Sequence, residues 1–446
     1  MKSASSVYPV ALGFVQRAFE IVTVPGTSGD EHAARVAQTN SHRMGRSIAH
    51  AARAEVDVAH ARCGTFCEMV VELPYGRTPL RFDTGSREVA VLRAPALPAA
   101  RPIDDLLDEA LTRVTRPALA PGARVTVIVS DATRPEPRAA FIAALERWLP
   151  AGIQWTIAIA TGTHGPAVVG ELGLSALERA TIVNHDGHSS SQIVELGITG
   201  RGTPVRVHRC VVDADLVILT GCIKPHYFAG FGAGAKAIFP GLGEATAIRI
   251  NHRWKTEPGA LAGAVDGNPC REDLEEAVRL VATPKLLVNG VSAPDGSIQA
   301  VVSGDVEAAF RRGADLARPW FTVRARRAPI VVASDVLPVT ASLYQAAKIA
   351  AAVAPLVEDG GTLVIAAECP EGVEPLETVN EAILRIGILP RLPPRSRLVL
   401  ISGLERAVVE KTLCEYAPDL ATVIGQTNRV LVAPKASQLL CEPDET

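Results

Sequence analysis

The sequence predicts an α/β protein with two domains, each built on a mainly parallel sheet, and an active site in the cleft between them. Two observations carry this. From about residue 105, short continuous apolar runs alternate with amphipathic segments of helical period, the pattern of parallel strands covered by helices on both faces. A second alternation of the same kind begins near Ala328, after an arginine-rich stretch. With 446 residues, 48% hydrophobic and 21% charged, the chain is long enough to bury the cores of two or three domains. Its formal net charge of −3 gives no electrostatic basis for binding nucleic acid or an anionic membrane. There is no basic start followed by a short apolar stretch, and no apolar run of about 18 residues, so neither export nor membrane insertion is signalled. The eight cysteines are scattered without a Cys-x-x-Cys pair, which fits a reducing, cytoplasmic setting.

Residues 1–66 read as a poorly ordered extension, rich in alanine and arginine and holding His32, His42, His50 and His60 on no common face. The first α/β domain spans 67–322 and the second 323–446. Strands are expected at Val70 to Leu73 and Val89 to Leu92, followed by a helix over Asp104 to Val114. The β-branched run Arg124 to Ser130 is the next strand, Arg138 to Trp148 a helix, and Trp155 to Ala160 a strand. Asn184 to His188 reads as a surface turn. The buried strand Leu216 to Leu219 leads into a glycine-rich segment, and Asp305 to Leu316 is a linking helix. Arg324 to Pro329 reads as a hinge. In the second domain, Pro329 to Ala333 and Thr362 to Ala367 are strands around a helix from Ser342 to Val357, which Asp359-Gly360-Gly361 stops. Leu398 to Ser402 and Arg429 to Ala433 are further strands.

In open parallel sheets, ligands bind beyond the carboxyl ends of the strands. Three such ends carry chemistry here. The first is Ser130-Asp131-Ala132-Thr133-Arg134-Pro135, the second Thr161-Gly162-Thr163-His164, and the third runs from Gly221 through His226 to Lys236 and Gly241. Arg134 offers a planar fork suited to a carboxylate. His164 and His226 occupy equivalent positions on successive strand ends, and imidazole suits acid–base work near neutral pH. Gly230, Gly232 and Gly234 can turn successive N–H groups toward an anion such as phosphate. Lys236 follows them, but Gly-Ala-Lys-Ala lacks the hydroxyl that ends a P-loop, which disfavours an ordinary ATP site. His252 lies on a following helix. Gln345 and Lys348 share one face near a helix N-terminus and form a candidate carboxylate clamp.

These motifs resemble, in order and over most of residues 68–440, those of the nickel-pincer nucleotide-dependent lactate racemase family. They are Asp131-Ala132-Thr133-Arg134-Pro135, Thr161-Gly162-Thr163-His164, Pro225-His226-Tyr227-Phe228-Ala229-Gly230-Phe231 through Lys236, Asn251-His252, and Tyr344-Gln345-Ala346-Ala347-Lys348. The resemblance implies a racemase or epimerase of lactate-like 2-hydroxy acids. It implies nickel carried by a pyridinium-3-thioamide-5-thiocarboxylate mononucleotide, the nickel-pincer nucleotide, covalently bound to Lys236, with His252 as the protein's metal ligand. It also implies His164 and His226 as paired acid–bases, Arg134, Gln345 and Lys348 as substrate-binding groups, and Asp131, Thr133, Gly232 and Gly234 around the cofactor. The partners it implies are a small 2-hydroxy acid and the enzymes that make the cofactor.

The chain departs from the family where Phe231-Gly232-Ala233-Gly234 replaces the common Phe-Ser-Gly-Gly, so a hydroxyl near the cofactor phosphate is absent. Two other classes remain open on the sequence. A nucleotide-dependent transferase or kinase would also use a glycine-rich loop and a lysine, and a non-catalytic nickel or cofactor carrier would keep Lys236 and His252 without needing two histidines.

Overall fold

The computed structural model describes residues 57–58, 70–174 and 180–444. The expected extension at 1–66, with its four histidines, lies outside the described residues apart from Asp57–Val58, which pairs antiparallel with Glu88–Val91. No helix among the described residues is long and apolar enough to cross a membrane.

Two seven-stranded sheets organise the chain. In the first, the path runs Cys222–Ile223, Lys285–Ser292, Leu216–Leu219, Arg124–Ser130, Gln154–Ala160, Thr181–Asn184, all parallel, with Ile298–Gly304 antiparallel against Lys285–Ser292. Arg124–Ser130 is the earliest of these strands in the chain, yet it sits in the interior. The chain continues to Gln154–Ala160 on one side and later to Leu216–Leu219 on the other, so the order reverses at Arg124–Ser130, the kind of switch point where α/β sheets hold ligands.

Both faces of this sheet are covered, as its unbroken apolar runs require. Helix Arg138–Trp148 buries Phe141, Ile142 and Leu145 against Val125, Val127 and Val129. On the opposite face, helices Ala245–Arg253 and Val306–Phe321 pack with Ile128, Val217 and Leu219. Each such fully buried side chain contributes about 1.5–3 kcal/mol.

The second sheet runs Asp57–Val58, Glu88–Val91, Arg429–Ala433, Ala328–Ser334, Val357–Ala366, Arg397–Ile401, Glu415–Tyr416. Here the structure differs from the sequence expectation. Glu88–Val91, expected with the 67–322 domain, pairs parallel with Arg429–Ala433 and so belongs to the second sheet. Its Val89 and Ala90 are buried there, and that cross-strand burial, invisible in a local window, decides its place. The expected hinge begins as a strand, Thr322–Ala325, paired with Leu440–Pro443. The expected helix from Ser342 forms as consecutive α and 3₁₀ turns from Leu343 to Leu356, with right-handed helical backbone at Ala347, Ala350 and Ala354.

After Leu216–Leu219 the chain makes a small hairpin, Pro225–His226 against Gly230–Phe231, then a 3₁₀ turn, Gly234–Ala237, that carries Lys236. Two glycines are dictated by sterics. Gly230 has φ +72° and a Cβ there would strike the Ala264 carbonyl; Gly234 has φ +67° and a Cβ would lie 2.5 Å from Phe310 Cδ2. Beneath the hairpin, the fully buried Arg271 donates to the Ala229 and Phe231 carbonyls and stacks on Phe310 with its guanidinium carbon 4.1 Å from the ring centre.

Gly234→Ala is therefore expected to lower the unfolding free energy by about 1–3 kcal/mol, since it strains a left-handed position and crowds Phe310. Gly170→Ala, at a site with nothing within 4 Å, is expected to change it by less than about 0.5 kcal/mol. Urea denaturation of the two variants checks this, and equal losses would contradict it.

Candidate active site

A cavity of ≈ 340 Å³ opens at the carboxyl ends of Leu216–Leu219, Arg124–Ser130 and Gln154–Ala160. Of the residues singled out from sequence, Asp131, Arg134, His164, His226, Gly232, Lys236, His252, Gln345 and Lys348 line it; Thr133 and Gly234 do not. Gln345 and Lys348 reach it from the helical turns that follow strand Ala328–Ser334 of the second sheet.

The first wall is a loop wired by two side chains that local sequence did not single out. Arg138, buried at the start of its helix, donates from Nε to Ser130 O at 2.7 Å and from Nη2 to the carbonyls of Asp131 and Arg134. Buried Glu136 accepts from Ser130 N at 2.6 Å and from the Thr220 hydroxyl on the neighbouring strand end. The loop is thus fixed at both ends, and Asp131 projects to within 2.7 Å of His164, Oδ2 to Nδ1. Burial opposes ionisation of Asp131, but hydrogen bonds from His164 and Thr133 outweigh it and hold the carboxyl below its usual range. An ionised carboxylate only accepts, so His164 Nδ1 carries a proton, and in the neutral ring it is Nε2 that keeps the lone pair. Thr133 supports Asp131 through both its N–H, at 3.1 Å, and its hydroxyl.

The second wall is the hairpin. His226 Nδ1 accepts from Ala229 N at 3.3 Å, which puts the proton of a neutral ring on Nε2, 3.3 Å from Lys236 Nζ. Burial, then the charges of Lys236 and Arg134, push His226 well below the ordinary imidazole range. Lys236 is also depressed, to about 7, by burial and by the charges of Arg271 and Arg134. A neutral lysine accepts from His226 Nε2–H, so the two groups form one neutral pair. The two histidines are consequently not equivalent: His164 presents a free Nε2 lone pair, whereas Nε2 of His226 is engaged with Lys236.

His252 sits in the last turn of Ala245–Arg253, where burial and the charges of Lys236 and Lys255 bring it down to about 3. Its ring is oriented by a buried chain. The hydroxyls of Thr199 and Thr203 donate to the two carboxylate oxygens of Asp273 at 2.5 and 2.6 Å. Asn251 Nδ2 donates to Asp273 Oδ2 at 2.7 Å, which turns Asn251 Oδ1 toward His252 Nδ1 at 3.2 Å. With Nδ1–H donating to that oxygen, Nε2 is left as a lone pair, the arrangement by which proteins orient a metal-ligating imidazole.

At the third wall, Lys348 Nζ donates to Gln345 Oε1 at 3.0 Å and lies 3.8 Å from the centre of the Tyr344 ring. Burial, Arg134 and Lys255 bring Lys348 down to about 8. Arg134, Lys224, Lys236 and Lys348 all line the cavity, and Asp131, paired with His164, is the carboxylate among its described lining residues. Such a site favours a small anion.

Two expectations are corrected. The glycine turn is not a cradle of free N–H groups, because Gly232 N donates to Lys224 O at 2.8 Å and Gly234 N to Asn289 Oδ1 at 2.9 Å. Asn184 to His188 is not a surface turn. His185 is buried and its Nε2 lies 2.9 Å from Gly243 O, while its carbonyl accepts from the Thr161 hydroxyl and Gly187 O accepts from Ala245 N. The segment braces the start of the helix that carries His252.

A family model described as the lactate racemase N-terminal domain matches residues 75–263. The lactate racemase of Thermoanaerobacterium thermosaccharolyticum is 30% identical over 322 residues, covering 68% of this chain and 75% of that protein. The lactate racemase of Lactiplantibacillus plantarum is 30% identical over 258 residues, covering 56% of this chain and 61% of that protein. Among solved structures, the apoprotein of the Thermoanaerobacterium lactate racemase matches with a TM-score of 0.72 at 24% identity, over 84% of this chain and all of that one. A Thermotoga maritima protein matches with a TM-score of 0.57 at 15% identity, over 78% of this chain and all of that one, a likeness of fold.

Because the Lys236 amine loses its proton near pH 7, its reaction with a small acylating reagent should rise through a midpoint of about 7. An ordinary lysine titrates at about 10.4. Site-resolved mass spectrometry across a pH series reads the midpoint, and a value above 9 would contradict the burial argument.

Proposed function

The chain belongs to the lactate racemase family, a family of isomerases, and on that premise we propose that it interconverts the enantiomers of a 2-hydroxy acid. The observation that carries the proposal is the meeting of His164, His226, Arg134, Lys236, His252, Gln345 and Lys348 around one cavity.

The residues fit a nickel-pincer nucleotide. A buried lysine whose amine is free near neutral pH suits an acyl-type tether, and the oriented Nε2 of His252 suits one metal position. Among the described residues no cluster of three or more His, Cys, Asp or Glu forms a metal site, so a metal ion held by His252 would bring its other donors with it. Lys236 would hold the nucleotide and His252 the nickel. When bound, the group would supply the acceptor, and then the donor, for the C2 hydride.

The chain's own residues do the rest. Arg134 and Lys348, with Gln345 beside it, bind the substrate carboxylate and set C2 and its hydroxyl in the cavity. His164, its Nδ1–H held by Asp131, takes the hydroxyl proton on Nε2 as the C2 hydrogen departs with its electron pair, leaving a 2-keto acid. Return of the hydride to the other face, with a proton from the opposite side, gives the mirror image. His226 serves that side. Acylation of Lys236 would release it, since an amide-type nitrogen no longer accepts a hydrogen bond from Nε2–H.

The test is production of the protein together with cofactor-making enzymes, followed by intact-mass measurement and a chiral assay. The expected result is an added mass, absent from Lys236→Ala, and racemisation of lactate. His164→Gln should keep the mass and lose about 10²–10⁴ in rate. An active Lys236→Ala protein, or wild-type turnover by His164→Gln, would overturn these roles.

A further inference from the structure

Asn268 is fully buried at the start of helix Pro269–Arg279 and has no part in the mechanism above. Its Oδ1 accepts from Cys270 N and Arg271 N, both at 3.1 Å, which closes the first turn of the helix. Serine or aspartate would cap as well. Only asparagine adds an amide nitrogen, and here Nδ2 faces three carbonyls, Phe228 O at 2.9 Å, Ala264 O at 3.1 Å and Leu261 O at 3.4 Å. Two donors on one side and three acceptors on the other fix which way the amide points. The bond to Phe228 O reaches the cavity through one peptide plane. In a trans peptide the carbonyl and the following N–H point in opposite directions. Asn268 grips the carbonyl end of the Phe228–Ala229 peptide, and the N–H end of that same peptide donates to His226 Nδ1 at 3.3 Å. A carbonyl that accepts a hydrogen bond also polarises its own N–H as a donor. Arg271 holds the next carbonyl, Ala229 O, from Nε and Nη2 at 3.3 Å each, so the plane is gripped on both sides. The Phe228 ring stands edge-on to the imidazole, with centres 4.6 Å apart, and limits its rotation.

We propose that Asn268 is a positioning residue: by fixing the Phe228–Ala229 peptide it keeps the His226 proton on Nε2, where it faces the cavity and, once Lys236 is acylated, the substrate oxygen. The use made of that proton rests on the racemase reading. Its place on the ring does not, and the experiment separates the two.

Cofactor-free protein carrying isotope-labelled histidine is read by nitrogen NMR, with the His226→Gln spectrum assigning the His226 signals; the cofactor-loaded protein is read by intact mass and by chiral assay of 2-hydroxy acids. Wild type should show His226 with a bare Nδ1 and a protonated Nε2. Asn268→Ser and Asn268→Asp keep an oxygen for the cap but lack the amide donor. Both should retain the circular dichroism and the His164 signals of wild type, yet show the His226 proton shared between its two nitrogens. Loaded, they should carry the full cofactor mass and racemise about 100-fold more slowly, the cost of a misplaced reacting group. An unchanged His226 in either folded variant would overturn the proposal and leave Asn268 as a helix cap. Equal disturbance of His164 would also overturn it, as a general loosening of the fold. A wild-type His226 protonated on Nδ1 would overturn it without any variant. A shifted His226 proton in the variants, together with failure of the loaded wild type to racemise any acid, would remove the racemase reading and leave the positioning role standing.

Discussion

The parallel register of three neighbouring strands is the constraint on which the rest of the site depends. Val127 stands opposite Ile218 on one side and Ile157 on the other, so Leu216–Leu219, Arg124–Ser130 and Gln154–Ala160 end at one edge of the sheet. Loops that leave a common edge have little choice but to meet. Asp131 and Arg134 come from one strand end, His164 from the next, and the His226 hairpin with Lys236 from the third. A one-residue slip of any strand would exchange the side chains packed on its two covered faces and shift its end along the edge, so the packing that builds the core also fixes the reactive groups.

Burial then sets their protonation. Lys236 and His252 lie in a wall that raises the free energy of any positive charge, to which Arg271 and Arg134 add at Lys236, and Lys236 and Lys255 at His252, so both are driven toward neutral forms that can act as nucleophile and ligand. His164 is treated differently: Asp131, kept ionised by the Thr133 and His164 hydrogen bonds, fixes its tautomer from behind. The fixed cations Arg138 and Arg271 have no direct role in the cavity, but they tie carbonyls of the two loops that bear Asp131 and His226. A site whose geometry must be held within a fraction of an ångström needs such supports.

Much of this was legible in the sequence because it is local. Continuous apolar runs marked three strands of the first sheet, Arg124–Ser130, Gln154–Ala160 and Leu216–Leu219, and the reactive side chains stood where those strands stop; Lys285–Ser292, which joins the sheet beside Leu216–Leu219, was not read. What was not legible depends on partners far away in the chain. Glu88–Val91 joins Arg429–Ala433 across more than three hundred residues, and no window around residue 90 encodes that. Glycines after a strand suggested a phosphate cradle, but Gly234 is required by Phe310 and its N–H is committed to Asn289, both distant in sequence. His185 looked like part of a polar turn, and only the approach of Gly243 and Thr161 buries it. The Asp273–Asn251–His252 chain could have been suspected from Asn251 beside His252, but Asp273 and its two threonines are supplied by the fold.

The central claim is that the hydroxyl proton and the C2 hydrogen travel by separate routes, the first through imidazole and the second with its electron pair. Racemisation of an enantiopure 2-hydroxy acid by the loaded protein in deuterium oxide, followed by mass and NMR analysis at C2, tests it directly. The account predicts that the racemised product retains protium at C2, because that hydrogen does not pass through an exchangeable site. Deuterium at C2 in step with racemisation would mean proton abstraction from carbon by a histidine, and would contradict it.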